Sequence, residues 1–201
     1  MSKVYYTSDT HFLHNMVAET RGFKDSATHD AEMIQRINDT CRANDVLWLL
    51  GDVGMGRTGE ILELVHQIQP RVNLVLGNHD APWPGNREAV RFYRTWSACF
   101  NSVQFSATRR LNGINVLLSH MPYNGDHTEV DRHVQYRLPD LGRPNIHGHV
   151  HDAWTVRLSP KGTPMINVGV DKWTTPVSEE AIGMLLADPD GFLEISPSLS
   201  T

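Results

Sequence analysis

The chain has 201 residues and a formal net charge of −5, with 40% hydrophobic and 20% charged residues. This composition is typical of a globular protein that buries its own core, so we predict a single domain over residues 1–201. The negative charge argues against a broad surface for nucleic acid or anionic membranes. No apolar run approaches the roughly 18 residues that a membrane span needs. Two cysteines, Cys41 and Cys99, without a secretory signal favour a reducing, cytoplasmic location.

The first half of the chain alternates apolar runs of strand length with amphipathic segments of helix length. The pattern predicts, in order, a strand at 3–8, a helix at 28–42 with Thr28 as its N-cap, a strand at 45–50, a helix at 58–69 and a strand at 71–76. This β-α-β-α-β order predicts parallel strands joined by right-handed crossovers.

The second half is richer in predicted strands. We predict a helix at 86–99, a hairpin turn at Asn112-Gly113, and strands at 101–106, 114–118, 144–147, 154–158, 165–168, 182–187 and 192–195. Residues 121–143 have weak periodicity and are expected to form a long loop or a short helix. A second sheet facing the first would give an α/β fold with two facing mixed β-sheets, a β-sandwich, flanked by α-helices.

Five short clusters of metal-ligand and acid–base side chains follow predicted strands. They are Asp9-Thr10-His11, Gly51-Asp52, Gly77-Asn78-His79-Asp80, Ser119-His120 and His147-Gly148-His149-Val150-His151. Because the carboxyl ends of parallel strands lie at one edge of a sheet, Asp9, Asp52 and Asn78 are expected to converge. A single aspartate in such a place is more often a turn or helix cap, but five clusters in this order indicate one site.

The residue types in these clusters suit a pair of metal ions. Carboxylate and amide oxygens combined with imidazoles favour Mn, Fe, Zn, Ni or Co. Two such ions about 3.5–4 Å apart can activate a water and neutralise a phosphate. None of the clusters contains a cysteine, which argues against a structural zinc site. We therefore predict two divalent transition-metal ions as cofactors, with Mn favoured.

The cluster order Asp-x-His, Gly-Asp, Gly-Asn-His-Asp, His, Gly-His-x-His resembles the calcineurin-like metallophosphoesterase superfamily. The stretch from Ser8 to Asn15 further resembles a subgroup of small bacterial and phage phosphoesterases, many of which have glycine where Leu13 stands here. The resemblance implies the same sandwich architecture. It also implies a ligand set: Asp9, His11 and His151 for the first metal, Asn78, His120 and His149 for the second, and Asp52 as the bridge.

His79 follows Asn78 without belonging to the ligand set. We expect it to act as a general acid toward the leaving oxygen, or to stabilise the transition state electrostatically. Asp80 would then hold the other imidazole nitrogen of His79; the alternative is that Asp80 only caps the next segment. His147 is either a support for the ligands or a core histidine, and Asn167 either supports a ligand or lies at a strand edge.

Four residues are candidates for contacts with the substrate. His14 and Asn15 follow the first cluster and either contact substrate or form the first turn of a helix. Tyr123 and Arg132 lie in the long segment bounded by His120 and His147.

These features together predict a cytoplasmic, binuclear metal-dependent phosphoesterase in which a metal-bound hydroxide attacks phosphorus. A small phosphodiester is the expected substrate, for example a 2′,3′-cyclic nucleotide. The alternatives are a phosphomonoesterase or protein phosphatase, and a nuclease, on the same site. A non-catalytic scaffold of this fold is disfavoured because every ligand position and His79 are present.

Overall fold

The computed structural model describes residues 2–187. Its elements are β1 (Val4–Thr7), α1 (Asn15–Thr20), α2 (Ser26–Thr40), β2 (Val46–Leu49), α3 (Thr58–Val65), β3 (Arg71–Val75), α4 (Ala89–Cys99), β4 (Ser102–Gln104), β5 (Ser106–Leu111), β6 (Ile114–Ser119), a 3₁₀ turn (Val134–Tyr136), β7 (Asn145–His147), β8 (Val156–Leu158), β9 (Pro164–Asn167), β10 (Val177–Ser178) and α5 (Glu179–Ala187). None of these helices is long and apolar enough to cross a membrane.

Two five-stranded sheets form the fold, which confirms the prediction of two sheets. The first has the order β10-β1-β2-β3-β4, in which β1 to β4 are parallel and β10 is antiparallel to β1. The second has the order β5-β6-β7-β9-β8, with β6, β7 and β9 parallel and both edge strands antiparallel. Both sheets are therefore mixed.

Alternating side chains of the first sheet enter two different cores. Tyr5, Leu47 and Leu49 pack against α2, α3 and α4. Tyr6 and Trp48, one residue further along the same strands, pack against the second sheet and α5. This period of two places one apolar layer outside the first sheet and one between the sheets, which is the sandwich arrangement.

Helix α2 begins at Ser26, two residues before the predicted start. Asp25 is its N-cap, and the Asp25 carboxylate accepts a hydrogen bond from Thr28 N at 2.8 Å. A carboxylate at this position satisfies one of the free N–H groups of the first turn. Thr28 therefore lies inside the helix, where its N–H is the group that the Asp25 cap binds.

The strand predicted at 182–187 is wrong, because these residues belong to α5. Ile182, Leu185 and Leu186 lie on the helix face that packs against the core between the sheets. A short apolar run fits a buried strand and a buried helix equally well. The segment predicted at 101–106 divides into β4 and the start of β5. The strand predicted at 192–195 lies outside the described residues.

Candidate metal centre

The loops that follow the central strands meet at one edge of the sandwich, and backbone hydrogen bonds join them. Asp9 N donates to Gly51 O at 3.0 Å, and His11 N donates to Asp52 O at 3.0 Å. His149 N donates to the Asp9 carboxylate at 3.1 Å. The clusters after β1, β2 and β7 therefore form one connected layer, as expected for the carboxyl ends of parallel strands.

Two groups of candidate ligands share the Asp9 carboxylate. The ligand atoms of Asp9, His11 and His151 lie within 4.8 Å of one another, and so do those of Asp9, Asp52 and His120. The His11 and His151 rings stack with their centroids 5.2 Å apart. Each group could hold one cation, so the arrangement fits two neighbouring ions.

Buried polar atoms at this place lack hydrogen-bond partners. Within residues 2–187, these include His11 Nε2, Asn78 Oδ1 and His120 Nε2. The other His120 nitrogen, Nδ1, contacts the Leu50 carbonyl at 2.7 Å and so directs Nε2 toward the centre. Burying such donors and acceptors unpaired is costly, and bound cations would remove that cost. The residues therefore fit the predicted metal pair.

The Asp52 carboxylate is 2% exposed and lies 3.4 Å from His120 Nε2 and 3.7 Å from His11 Nε2. Burial raises the pKa of Asp52, but the adjacent His120, His11 and His79 imidazoles outweigh it and hold the pKa well below its usual range. Burial lowers the pKa of His120, and the Asp52 charge reverses this and raises it to about 9. A cation between these two groups would replace the His120 proton.

A hydrogen bond to Asp126 orients His149, and sequence reasoning missed this carboxylate. Asp126 Oδ2 lies 3.0 Å from His149 Nε2, which leaves His149 Nδ1 for a metal ion. The Asp126 side chain has no exposed surface, and its pKa is shifted well below the usual range: burial raises it, but hydrogen bonds from His149 and Arg132 prevail. The residue lies in the long loop between His120 and His147, and no local pattern distinguishes it.

Asp126 also organises that loop. Arg132 donates to Asp126 Oδ1 at 2.9 Å, and Arg137 donates to Asp126 Oδ2 at 3.2 Å. Arg137 further donates to the carbonyls of Pro122 and Gly125. Arg132, predicted to contact substrate, is therefore committed to an ion pair within the protein.

A second, partly buried network supports His151. Its Nδ1 lies 2.8 Å from Asp171 Oδ2, and Arg21 donates to both Asp171 oxygens at 2.7 Å. Arg21 also donates to Asp9 O at 2.9 Å and contacts His29 Nε2 at 3.0 Å. The other His29 nitrogen contacts Asp30, a buried carboxylate. This network ties α2 to both chain segments of the first ligand group.

His79 lies at the mouth of the site with its side chain 33% exposed, and its Nε2 is 3.9 Å from Asp52 Oδ2. The prediction that Asp80 holds the His79 ring is wrong, because both Asp80 oxygens bind backbone groups instead. Its carboxylate oxygens accept from Gly77 N at 2.7 Å and Val53 N at 2.8 Å. Asp80 thus fixes the loop that carries Asn78 and His79, which is close to the alternative of a capping role.

Most of the candidate ligands have a left-handed backbone. Positive φ angles occur at Asp9 (60°), His11 (47°), Asp52 (53°), His149 (70°) and His151 (49°). Such angles are uncommon for non-glycine residues, and strain of this kind concentrates at functional sites. The flanking Gly148 allows close packing here, because a Cβ at this position would clash with Ser8 and the Asp9 carboxylate.

The sequence profile of the family described as calcineurin-like phosphoesterase matches residues 2–174. The chain belongs to this family. Its members depend on two divalent metal ions, and the two ligand groups described above agree with that requirement. The protein is therefore a metal-dependent phosphoesterase, a hydrolase.

Relatives of this phosphoesterase occur in mycobacteriophages. The Gene 66 protein of Mycobacterium phage L5 is 37% identical over 193 residues, covering 90% of this chain and 93% of the phage protein. The Gene 66 protein of Mycobacterium phage D29 is 36% identical over 196 residues, covering 94% and 98%. A protein of unknown function from Aquifex aeolicus has the same fold, with a TM-score of 0.65 and 24% identity over 92% of this chain and all of that one.

The remaining predicted substrate residues have different positions in this phosphoesterase. His14 is the N-cap of α1, accepts from Val17 N at 3.4 Å, and lies edge-on to His11. Asn15 is the first residue of that helix and is exposed. Tyr123 donates to the Arg143 carbonyl at 2.8 Å and packs beside Trp154. Of these three, His14 comes closest to a candidate ligand.

The structure decides between the alternatives for two further residues, His147 and Asn167. His147 is buried, packs on Trp154 with ring centroids 4.7 Å apart, and burial lowers its pKa to about 3. It is a core histidine. Asn167 donates to the His151 and Trp154 carbonyls at 2.8 and 2.9 Å, and so fixes the backbone of a candidate ligand.

Proposed function

We propose that this phosphoesterase hydrolyses small phosphodiesters, in particular small or cyclic nucleotides such as 2′,3′-cyclic nucleotides. The observation that supports this most is the pair of ligand groups sharing Asp9, with His79 exposed beside them. Manganese is the favoured metal because the donor set mixes carboxylate, amide and imidazole groups. The two free cysteines favour a reducing cytoplasmic location.

The proposed ligand assignment is the one that the family resemblance implies. Asp9, His11 and His151 would hold the first ion, Asn78, His120 and His149 the second, and Asp52 would bridge them. When bound, two such ions supply an activated water as nucleophile and neutralise the phosphate oxygens. The protein's own part is to present these groups in fixed orientation, with Asp126 and Asp171 each holding one imidazole.

His79 is the proposed proton donor to the leaving oxygen. Its backbone N donates to Asp52 Oδ1 at 2.9 Å, which anchors it to the bridging carboxylate. Its ring is partly exposed and is not hydrogen-bonded to any described side chain that would compete for its proton. A positioned imidazole with access to solvent can deliver a proton to a departing alkoxide and be protonated again.

The charges around the centre favour a diester over a monoester. Arg21, Arg132 and Arg137, the arginines of the two supporting networks, are all paired with carboxylates. A phosphomonoester dianion gains more from unpaired cationic side chains than a diester monoanion does. The net charge of −5 also disfavours a long polyanionic substrate.

A substrate panel tests this function. The metal-loaded protein is assayed on phosphomonoesters, simple diesters, 2′,3′- and 3′,5′-cyclic nucleotides and DNA, with Mn, Fe, Zn, Ni and Mg. We expect the highest kcat/KM on a small diester with a transition metal. Higher values on the monoesters would replace the proposal with a phosphatase, and higher values on DNA would replace it with a nuclease.

A further inference from the structure

A cavity of about 560 Å³ lies between α1 and α2, next to the metal centre. Its size is within the range of about 300–1,000 Å³ for small-molecule sites. Val17, Phe23, Met33 and Val170 form its apolar wall. Three residues of its wall, Arg21, His151 and Asp171, also form or support the metal centre, but no role proposed above uses the cavity itself.

The candidate ligand His151 is the boundary between the cavity and the metal centre. His151 and Asp171 both line the cavity, and the bond between them uses His151 Nδ1. The opposite ring nitrogen remains for the first metal ion. A phosphate held at the metal centre would therefore lie one imidazole ring away from the cavity, and its organic substituent could reach past that ring.

The charges on the cavity wall exclude a second anion as the occupant. Arg21 is paired with Asp171, and Arg36 is paired with Glu32 at 2.7 Å. Asp152 adds a further carboxylate to the lining. Both arginine charges are thus matched, so the cavity offers no excess positive charge to a phosphate.

The mixed lining also argues against a purely apolar occupant such as an alkyl chain. The Phe23 ring and Met33 offer flat and adaptable apolar contact. The Arg36 guanidinium and the Asp152 carboxylate offer hydrogen-bonding groups around it, and the Thr20 hydroxyl, which donates its proton to the Met16 carbonyl at 2.9 Å, offers an acceptor. An uncharged, flat ring with polar edges matches this combination.

We propose that this cavity binds the nucleoside part of a phosphodiester whose phosphorus is held at the metal centre. The inference rests on the proposed function and adds to it a binding site for the substituent that is kept during hydrolysis. Phe23 would contact the base face, while Thr20 and Arg36 would contact its polar edge.

Two esters with the same leaving group test the proposal. Thymidine 5′-(4-nitrophenyl phosphate) and methyl 4-nitrophenyl phosphate both release nitrophenolate and differ only in the group that would enter the cavity. We expect kcat/KM to be about ten-fold or more higher for the thymidine ester, mainly through KM. Thr20→Trp, which narrows the cavity from an exposed position, should reduce that ratio about ten-fold.

Glu19→Trp is the matched control, since Glu19 is the exposed neighbour of Thr20 on α1 and does not line the cavity. This variant should keep the ratio of kcat/KM between the thymidine and methyl esters that the unmodified protein has. Equal kcat/KM for the two esters in the unmodified protein would overturn the proposal. So would a fall in their ratio that is the same in Thr20→Trp and Glu19→Trp.

Failure of the proposed function would be seen separately, as no turnover of either ester. Calorimetric binding of thymidine 5′-monophosphate to the metal-loaded protein then decides on the cavity. Binding that Thr20→Trp weakens about ten-fold and Glu19→Trp preserves supports the nucleoside site. Binding no tighter than that of inorganic phosphate contradicts it.

Discussion

The guanidinium of Arg21 binds both carboxylate oxygens of Asp171, at 2.7 Å each, and Asp171 in turn contacts His151 Nδ1. The two side chains are only 10% and 14% exposed, and a bidentate geometry fixes the carboxylate in direction as well as position. His151 is thereby held in the tautomer whose Nε2 carries the lone pair. Orientation of this kind is what keeps an imidazole ready to bind a metal ion.

The first prediction concerns that support. Asp171→Asn keeps the shape of the side chain but removes the charge that pairs with Arg21 and His151. We expect the affinity for one of the two metal ions to fall about 10–100-fold, with the second ion less affected. Competition with a chelating dye measures both affinities. Asp39→Asn, an exposed position on α2, is the control; equal affinities in the two variants would refute the support role.

The second prediction concerns metal removal. Strong chelation should abolish hydrolysis, because the nucleophile is expected to be a water activated by the two metal ions. Mn or a similar transition ion should restore activity better than Ca, since Ca prefers six to eight oxygen ligands and this donor set is rich in imidazole. Activity and metal content are measured on the same samples. Full activity in a verified metal-free sample would remove the metals from the reaction.

The third prediction concerns Asp52, which contacts histidines of both proposed metal positions. Asp52→Asn should lose more bound metal than His120→Ala, because a bridging carboxylate serves both ions and His120 serves one. Elemental analysis of the purified variants measures the stoichiometry. Two retained ions per chain in Asp52→Asn would exclude it as the bridge.

The fourth prediction separates His79 from the ligands. His79→Gln should keep about two ions per chain but lose rate, on the order of 10²–10⁴-fold. The loss should be largest for alkoxide or ribose leaving groups and smallest for nitrophenolate, which departs with little help from a proton. Rates across leaving groups of graded pKa provide the measurement. A uniform loss accompanied by loss of metal would instead indicate a structural role.

The fifth prediction concerns stability away from the centre. Asp45 accepts hydrogen bonds from Lys3 N at 2.7 Å and Arg42 N at 2.9 Å, and these bonds lower its pKa from the ordinary 3.8. Its stabilising contribution is therefore complete above the unfolded pKa and is lost as pH falls through the lower folded pKa. Asp45→Asn should cost stability at pH 7, and urea unfolding should show a smaller difference near pH 3. A pH-independent difference would disprove the ionic contribution.

The sequence predicted the parts of the centre that are encoded locally. Asp9, Asp52 and Asn78 each lie two or three residues after a buried strand, so the parallel sheet carries all three to the same edge. Asp126 and Asp171 could not be found in this way. The role of each depends on a hydrogen bond to a histidine more than a dozen positions away in the chain. The loops between them have no periodic pattern that would predict this contact.

The misassigned segment at 182–187 shows a different limit. Its apolar run is too short for periodicity to separate helix from strand. The signals for a helix lie just before it, where Ser178 Oγ accepts from Ala181 N at 3.1 Å and Glu179 and Glu180 occupy the first turn. Weighing these start signals above the apolar run would have given the right element.

The left-handed backbone at Asp9, His11, Asp52, His149 and His151 narrows the substitutions that evolution or an engineer can use there. Among non-glycine residues, Asn, Asp and His are the ones most enriched in that conformation. The same three side chains are oxygen and nitrogen donors for divalent ions. Substitutions among Asn, Asp and His could change which metal is bound without changing the backbone of the loops. Glutamate is also a good ligand, but at these positions it would need a positive φ angle that it rarely adopts.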